Sequence, residues 1–159
     1  MTRSYSGDGA RVPRRKTVDG IPPKGPDVVK GLTNPLPVKC LSKSIRSFIG
    51  AKDFAESRRF YQTLDFEEVI IDPKMSYFRV QDHLGFYLQD YYRKDWIENS
   101  MLLLEVGNFD ECVAELLALS LPDTFPTVRF SKVRNETWGR ELHMLDPAGV
   151  LWHFAEFTA

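Results

Sequence analysis

The stretches KDFAESRRFYQTL and GNFDECVAELLAL repeat one pattern: a residue able to cap a helix, a phenylalanine, then apolar side chains at helical spacing. Asp53 and Asn108 lie 55 positions apart, as do Phe54 and Phe109. Gly85 and Gly149, each opening the last strand of its half, lie 64 apart, so the second half carries nine extra positions in its strand and loop region. An internal repeat of this length constrains the fold more than any other feature of the chain, because both copies must build the same supersecondary unit.

The segments around the two helices complete the unit. In the first half, Ser44 to Ala51 reads as a short strand. Asp53 caps a helix with Phe54, Phe60, Tyr61 and Leu64 near one face, and strands follow at Glu67 to Asp72, Ser76 to Val80 and Gly85 to Tyr91. After the polar linker RKDWIEN the order recurs: a strand from Ser100 to Val106, then a helix capped by Asn108 with Phe109, Cys112, Val113 and Leu116 on one stripe. Strands at Thr127 to Val133, Glu141 to Leu145 and Val150 to Phe157 follow it. The last two form a hairpin closed by Asp146-Pro147-Ala148-Gly149, with Asp to bond its own backbone, Pro to preset φ and Gly to accept a positive φ. The expected fold class is α+β: two βαβββ units, about 43–92 and 99–159, each a four-stranded sheet with one helix behind it.

Composition bounds the rest. The 159 residues are 43% apolar, enough for one sizeable core or two small half-domains sharing one. Residues 1–42 form a separate, Pro/Gly-rich segment expected to be a disordered or extended basic arm, since RVPRRKTVDGIPPKGPD buries too little apolar surface to offset ordering. Arg14-Arg15-Lys16 in that arm reads either as a docking patch or as part of a solvated tail. The overall net charge of −1 gives no general pull towards nucleic acid or membrane, so neither is expected as a partner. Two cysteines, Cys40 and Cys112, are too few for a disulfide scaffold, and Cys112 is expected as a buried thiol. No apolar run is long enough to span a membrane, the basic N-terminus lacks the apolar core of a secretory signal, and the expected location is the cytoplasm.

KDFAESRRFYQTLDFEEV resembles the first-helix signature of the vicinal oxygen chelate superfamily, and WGRELHMLDPAGVLWHF resembles its closing hairpin, especially in the glyoxalase/bleomycin resistance/dioxygenase group. The resemblance covers Ser44 to Phe157. It implies two βαβββ units curled into a half-open mixed β-barrel around a cavity, and a homodimer. Metal-dependent members of the superfamily place one ligand on the first and one on the last strand of each unit. Carried onto this sequence, those positions hold Arg46, Gln89, Met101 and His153. The set suits a divalent cation poorly: arginine has no lone pair to offer and methionine is a soft, weak ligand. No metal and no cofactor are therefore expected, and His153 is expected either to hydrogen-bond a ligand or Arg46, or to be a satisfied polar residue in the sheet concavity.

Strand alternation extends these positions to a candidate ligand-binding pocket: Arg46 and Phe48; Tyr87, Gln89 and Tyr91; Met101, Leu103 and Glu105; and Leu151, His153 and Ala155. Glu105 and Arg46 are expected to pair across it, with Trp96 and Trp138 at the rim, although Trp138 reads somewhat better as a structural plug. An apolar, aromatic concavity with a few polar groups has the usual composition of a small-molecule site. No Gly-rich phosphate loop, paired zinc cysteines or nucleophile elbow marks other chemistry, and no catalytic residue is assigned. Three functions fit. The first is a metal-free binding protein of the bleomycin-resistance type, sequestering an aromatic or cationic ligand in a dimer-associated cavity. The second is a metal-dependent lyase, isomerase or dioxygenase of the glyoxalase superfamily. The third is an interaction module docked by its basic arm. The first fits the poor ligand set best.

Overall fold

The computed structural model describes residues 43–158, so the expected arm and Cys40 lie outside the described residues. The first unit runs β1 (Phe48–Gly50), α1 (Phe54–Thr63), β2 (Glu67–Asp72), β3 (Met75–Gln81) and β4 (Leu84–Gln89). A short helix, α2 (Lys94–Ile97), lies in the polar linker. The second unit runs β5 (Met101–Glu105), α3 (Phe109–Ala118), α4 (Leu121–Thr124), β6 (Arg129–Phe130), β7 (Arg134–Glu136), β8 (Gly139–Leu145) and β9 (Leu151–Phe157). The sheets are ordered β1-β4-β3-β2 and β5-β9-β8-β6, with β7 also paired to β8. In both, the first strand lies parallel to the last and the other pairs are antiparallel. Two βαβββ units are thus present, as separate sheets with no closed barrel.

The short helices α2 and α4 are additions to the sequence expectation, and three further elements differ from it. The first strand is shorter, and Arg46 precedes it. Asp53 caps α1 as expected, accepting from the backbone N of Glu56 at 2.9 Å, but Asn108 turns its amide to Glu111 (3.1 Å) instead of to the α3 backbone. The strand expected over Thr127 to Val133 is split into β6 and β7, both pairing β8. The break lies opposite His143, whose backbone O accepts from Ser131 N (2.9 Å) while its N donates to the Ser131 hydroxyl (3.0 Å). A side chain replaces one rung of the ladder there, so the edge strand cannot run straight.

The core lies between the two units. Ile49, Phe86 and Leu88 from the first sheet, Phe60 and Tyr61 from α1, and Met144, Trp152 and Phe154 from the second sheet belong to one buried cluster. Trp152 packs against Phe86 (5.3 Å between rings), Phe66 (6.1 Å) and Tyr61 (5.9 Å). Side chains alternate along a strand, so Tyr87, next to Phe86, and His153, next to Trp152, emerge on the opposite faces of their sheets. Each unit therefore turns its helix-covered face to the shared core and leaves its other face open.

The turn before β9 is built as its sequence requires. Asp146 Oδ1 accepts from the backbone N of Ala148, Gly149 and Val150 at 2.8–2.9 Å, and Gly149 has φ +98°. A β-carbon on Gly149 would be held in a left-handed backbone and lie 3.2 Å from Glu98 Cγ. Gly149→Ala is expected to destabilise by about 1–2 kcal/mol, read as a lowered denaturant midpoint with an unchanged slope.

Candidate functional site

The first open face is an aromatic slab. Phe48 stacks on Tyr87 (4.7 Å, 14° between planes), and Tyr77 leans on Tyr87 from the adjacent strand (5.2 Å). The pairs follow from register, since Tyr87 lies opposite Phe48 on one side and Tyr77 on the other. Arg46 places its guanidinium 4.4 Å from the centre of the Tyr77 ring, a cation–π contact, and its Nε donates to Ser44 Oγ (3.1 Å). Arg46 Nη1 and the Tyr77 hydroxyl are both buried and have no hydrogen-bond partner among the described residues. Gln89 lies half-buried at the end of the same strand row, and the exposed Tyr91 beyond it packs against Trp96 (5.6 Å).

The second open face is carried by β5, β9 and β8. Met101, Leu103 and Glu105 stand opposite Leu151, His153 and Ala155 in parallel register. Met101, at the start of β5, is 66% exposed, and Leu103, at its centre, is 53% exposed, which is unusual for an apolar side chain at a mid-strand position. Trp138 packs on Phe157 (5.0 Å), at the end of the row that holds His153. Ten candidate residues thus fall into two groups: Arg46, Phe48, Tyr87, Gln89 and Tyr91 on one open face, and Met101, Leu103, Glu105, Trp138 and His153 on the other. Within one chain these faces point away from the common core and do not enclose one cavity. Leu103 comes nearest to bridging them, sharing a cavity of about 190 Å³ with Ile45, Ser47 and Gly85 at the margin between the sheets.

Two expected contacts are replaced. Arg46 meets Tyr77 and not Glu105, which makes no ion pair among the described residues. His153 bonds neither Arg46 nor a neighbour on its own strand: its Nδ1 donates to Glu141 Oε2 (3.1 Å) across the hairpin. The other oxygen of Glu141 lies 2.9 Å from His143 Nε2. Burial works to raise the Glu141 carboxyl, but its contacts with His153 and His143 outweigh that and hold it below its usual range. Cys112 is only partly buried, with its thiol pushed up by burial and by Glu115. It lines an apolar cavity of about 460 Å³ with Leu64, Phe66, Leu116 and Phe154.

The repeat marks His153 but neither Glu141 nor His143, so the three are not expected as a group from the sequence. A signal was present, however. The hairpin is symmetric about Ala148, so Leu145 faces Leu151, Met144 faces Trp152 and His143 faces His153. Glu141, two residues before His143, must then share its face.

The chain has the glyoxalase/bleomycin resistance fold. Solved structures that share it include a bleomycin-binding protein complexed with bleomycin (16% identity, TM-score 0.62, 74% of this chain and all of that one). A second is the bleomycin-binding protein from bleomycin-producing Streptomyces verticillus with copper(II)-bleomycin (22% identity, TM-score 0.59, 74% of this chain and 100% of that one). A third is a mutant of the fosfomycin resistance protein FosX from Listeria monocytogenes with Mn(II) and 1S,2S-dihydroxypropylphosphonic acid (15% identity, TM-score 0.57, 75% of this chain and 95% of that one). No family model and no curated protein matches the sequence.

The residues at the four positions that the resemblance would give a metal, Arg46, Gln89, Met101 and His153, do not fit a divalent ion. Arg46 holds a fixed positive charge and is engaged with Tyr77; Met101 offers only a soft thioether on an exposed strand. No helix among the described residues is long and apolar enough to cross a membrane.

Proposed function

We propose that the chain is a small-molecule-binding protein of the bleomycin-resistance type, sequestering an aromatic guest without need of a metal at Arg46, Gln89, Met101 and His153. The observation that carries this reading is the slab of Phe48, Tyr87 and Tyr77 on an uncovered sheet face. Stacked rings exposed on one side offer a planar guest a large contact area at little entropic cost. Arg46 at the edge of the slab, with one buried guanidinium nitrogen unspent, favours a guest that also carries an anionic or carbonyl oxygen. A purely cationic guest would meet that charge, although the acidic balance of residues 41–159 attracts cations at longer range.

The exposed Met101 and Leu103 support a homodimer. A second copy that set its Met101–His153 face against the Phe48–Tyr87 face of the first would bring both groups of candidate residues around one cavity. The guest would then lie between copies, which accounts for the open faces of the single chain.

The test is a titration with bleomycin, the compound bound by the similar proteins, followed by tryptophan fluorescence and repeated by equilibrium dialysis. The wild-type chain should bind, and Tyr87→Ala should weaken binding about tenfold or more, since one stacked aromatic pair is worth roughly 0.5–1.5 kcal/mol beyond the area it buries. Failure of the wild type to bind bleomycin or any planar aromatic compound would sink the reading. A metal-dependent lyase or dioxygenase is the second reading, favoured by one observation: the carboxylate flanked by two imidazoles on β8 and β9.

A further inference from the structure

Glu141, His143 and His153 stand on the second open face, on two adjacent strands. His143 and His153 are direct cross-strand partners, their rings 4.4 Å apart. Glu141 faces Ala155, whose small side chain leaves room for the carboxylate to lean towards both rings. One ligand atom from each of the three residues can be chosen so that all lie within 4.8 Å of one another. Ligands about 2.0–2.1 Å from a tetrahedral ion are about 3.4 Å apart, so modest side-chain rotation closes the set around an ion.

The group is poorly explained as a structural hydrogen-bond network. His143 Nε2 is buried and lies 2.9 Å from Glu141 Oε1, yet it is not aligned for a hydrogen bond and has no other partner among the described residues. A buried ring nitrogen left without a directed bond costs free energy unless something else uses it. Glu141 is only 9% exposed at its side chain, and no arginine or lysine among the described residues forms an ion pair with it. The approach is open: His143 lines a shallow cavity of about 240 Å³ with Ser131, Leu145 and Leu151. Arg129 borders that cavity, but its guanidinium donates to the carbonyls of Pro126 and Val128.

We propose that Glu141, His143 and His153 form a binding site for a zinc-class divalent ion. Two imidazole nitrogens and one carboxylate oxygen are the donor types such ions select, and three protein ligands leave a fourth position to water or a guest. The site differs from the superfamily's four positions in two of its three members, since Glu141 and His143 stand on the strand before the last. Its use of the carboxylate replaces the anionic donor missing from Arg46, Gln89, Met101 and His153. Binding through His153 Nδ1 would move the proton it now donates to Glu141 onto Nε2, so the ion takes the place of that hydrogen bond.

The test is calorimetric titration of chelator-stripped, full-length protein with Zn(II) alone. One ion per chain is expected. His143→Ala and the isosteric Glu141→Gln should each weaken zinc at least about 100-fold, because losing a direct ligand costs no less than losing its supporting partner. Gln89→Ala and Met101→Ala should leave the affinity unchanged, and circular dichroism should show all four variants folded. The proposal is overturned if the wild type takes up no stoichiometric zinc, or if folded His143→Ala and Glu141→Gln bind it as the wild type does. It is overturned equally if Gln89→Ala loses zinc, which would place the ion at the superfamily positions. Zinc uptake and bleomycin binding are measured separately, each without the other present, so failure of one reading is distinguishable from failure of the other.

Discussion

Replacing Asp146 by alanine should destabilise the fold by at least about 3 kcal/mol, measured by chemical denaturation at pH 7. Asp146 is 1% exposed and accepts four hydrogen bonds. Three come from the turn backbone at Ala148, Gly149 and Val150, and the fourth from the Tyr61 hydroxyl at 2.6 Å. Alanine would leave those donors facing a small void in the most buried part of the hairpin, and each unmet buried donor costs roughly 1–3 kcal/mol. Asp146→Asn should cost less. Its side-chain oxygen can still serve the turn, and the Tyr61 hydroxyl, which already accepts from Trp152 Nε1 (3.3 Å), can rotate its proton elsewhere.

The same carboxylate should shape stability against pH. Burial pushes the Asp146 carboxyl up to about 6, and the hydrogen bonds from Tyr61 and the turn backbone only partly offset it. In the unfolded chain it returns to the ordinary 3.8. Between these values the folded chain holds more protons than the unfolded one, so Asp146 makes stability fall as pH rises from about 4 to about 6, and its effect is flat above that window. The loss is on the order of 2–3 kcal/mol. Glu68, held below its usual range by Arg58, Ser76 and Gln62 against the opposing effect of burial, and Glu141 act with the opposite sign towards acid. The readout is therefore the difference between wild type and Asp146→Asn. If the gap between their unfolding free energies does not change between pH 4 and pH 7, Asp146 does not titrate in this range.

The second large effect belongs to Trp152. Trp152→Ala should cost about 3–5 kcal/mol, the range for removing a buried aromatic side chain from a core that cannot collapse around the loss. Its ring is 3% exposed and touches Tyr61, Phe66, Phe86 and Phe154, so it packs α1 and the first sheet against the second. The variant should also lose cooperativity between the two units, since this ring and the Tyr61–Asp146 bond are among the main side-chain links between them. Coincident unfolding curves by tryptophan fluorescence and far-ultraviolet circular dichroism in the variant, with a loss under 2 kcal/mol, would show that the units are held together elsewhere.

Local chemistry made much of the fold legible. Asp53 caps α1 because a short acid before an amphipathic run satisfies a free backbone N–H, and the Asp-Pro-Ala-Gly turn forms because each of its residues suits its place. The repeat of helix and strands follows from patterns with periods of 3.6 and 2, which need no knowledge of distant residues. Alternation also pairs Phe48 with Tyr87 and Leu103 with His153, as the strand registers do, but it does not tell that the two pairs lie on separate faces. It failed at the edge of the second sheet, where the Ser131 hydroxyl takes a backbone rung and splits the expected strand.

What the sequence by itself determined, then, is the pair of βαβββ units and which side chains share a face. The tertiary structure alone decided how the units dock and which side chains meet. Tyr61 finds Asp146 across 85 positions of chain and Trp152 across 91, which turns both helix-covered faces inward and leaves the two candidate surfaces open, away from that core. It also decided that His153 meets Glu141 and His143 instead of Arg46. The reason is physical: periodicity fixes the direction of a side chain relative to its own strand, whereas contacts between strands and units depend on register and docking, set by packing summed over the whole core.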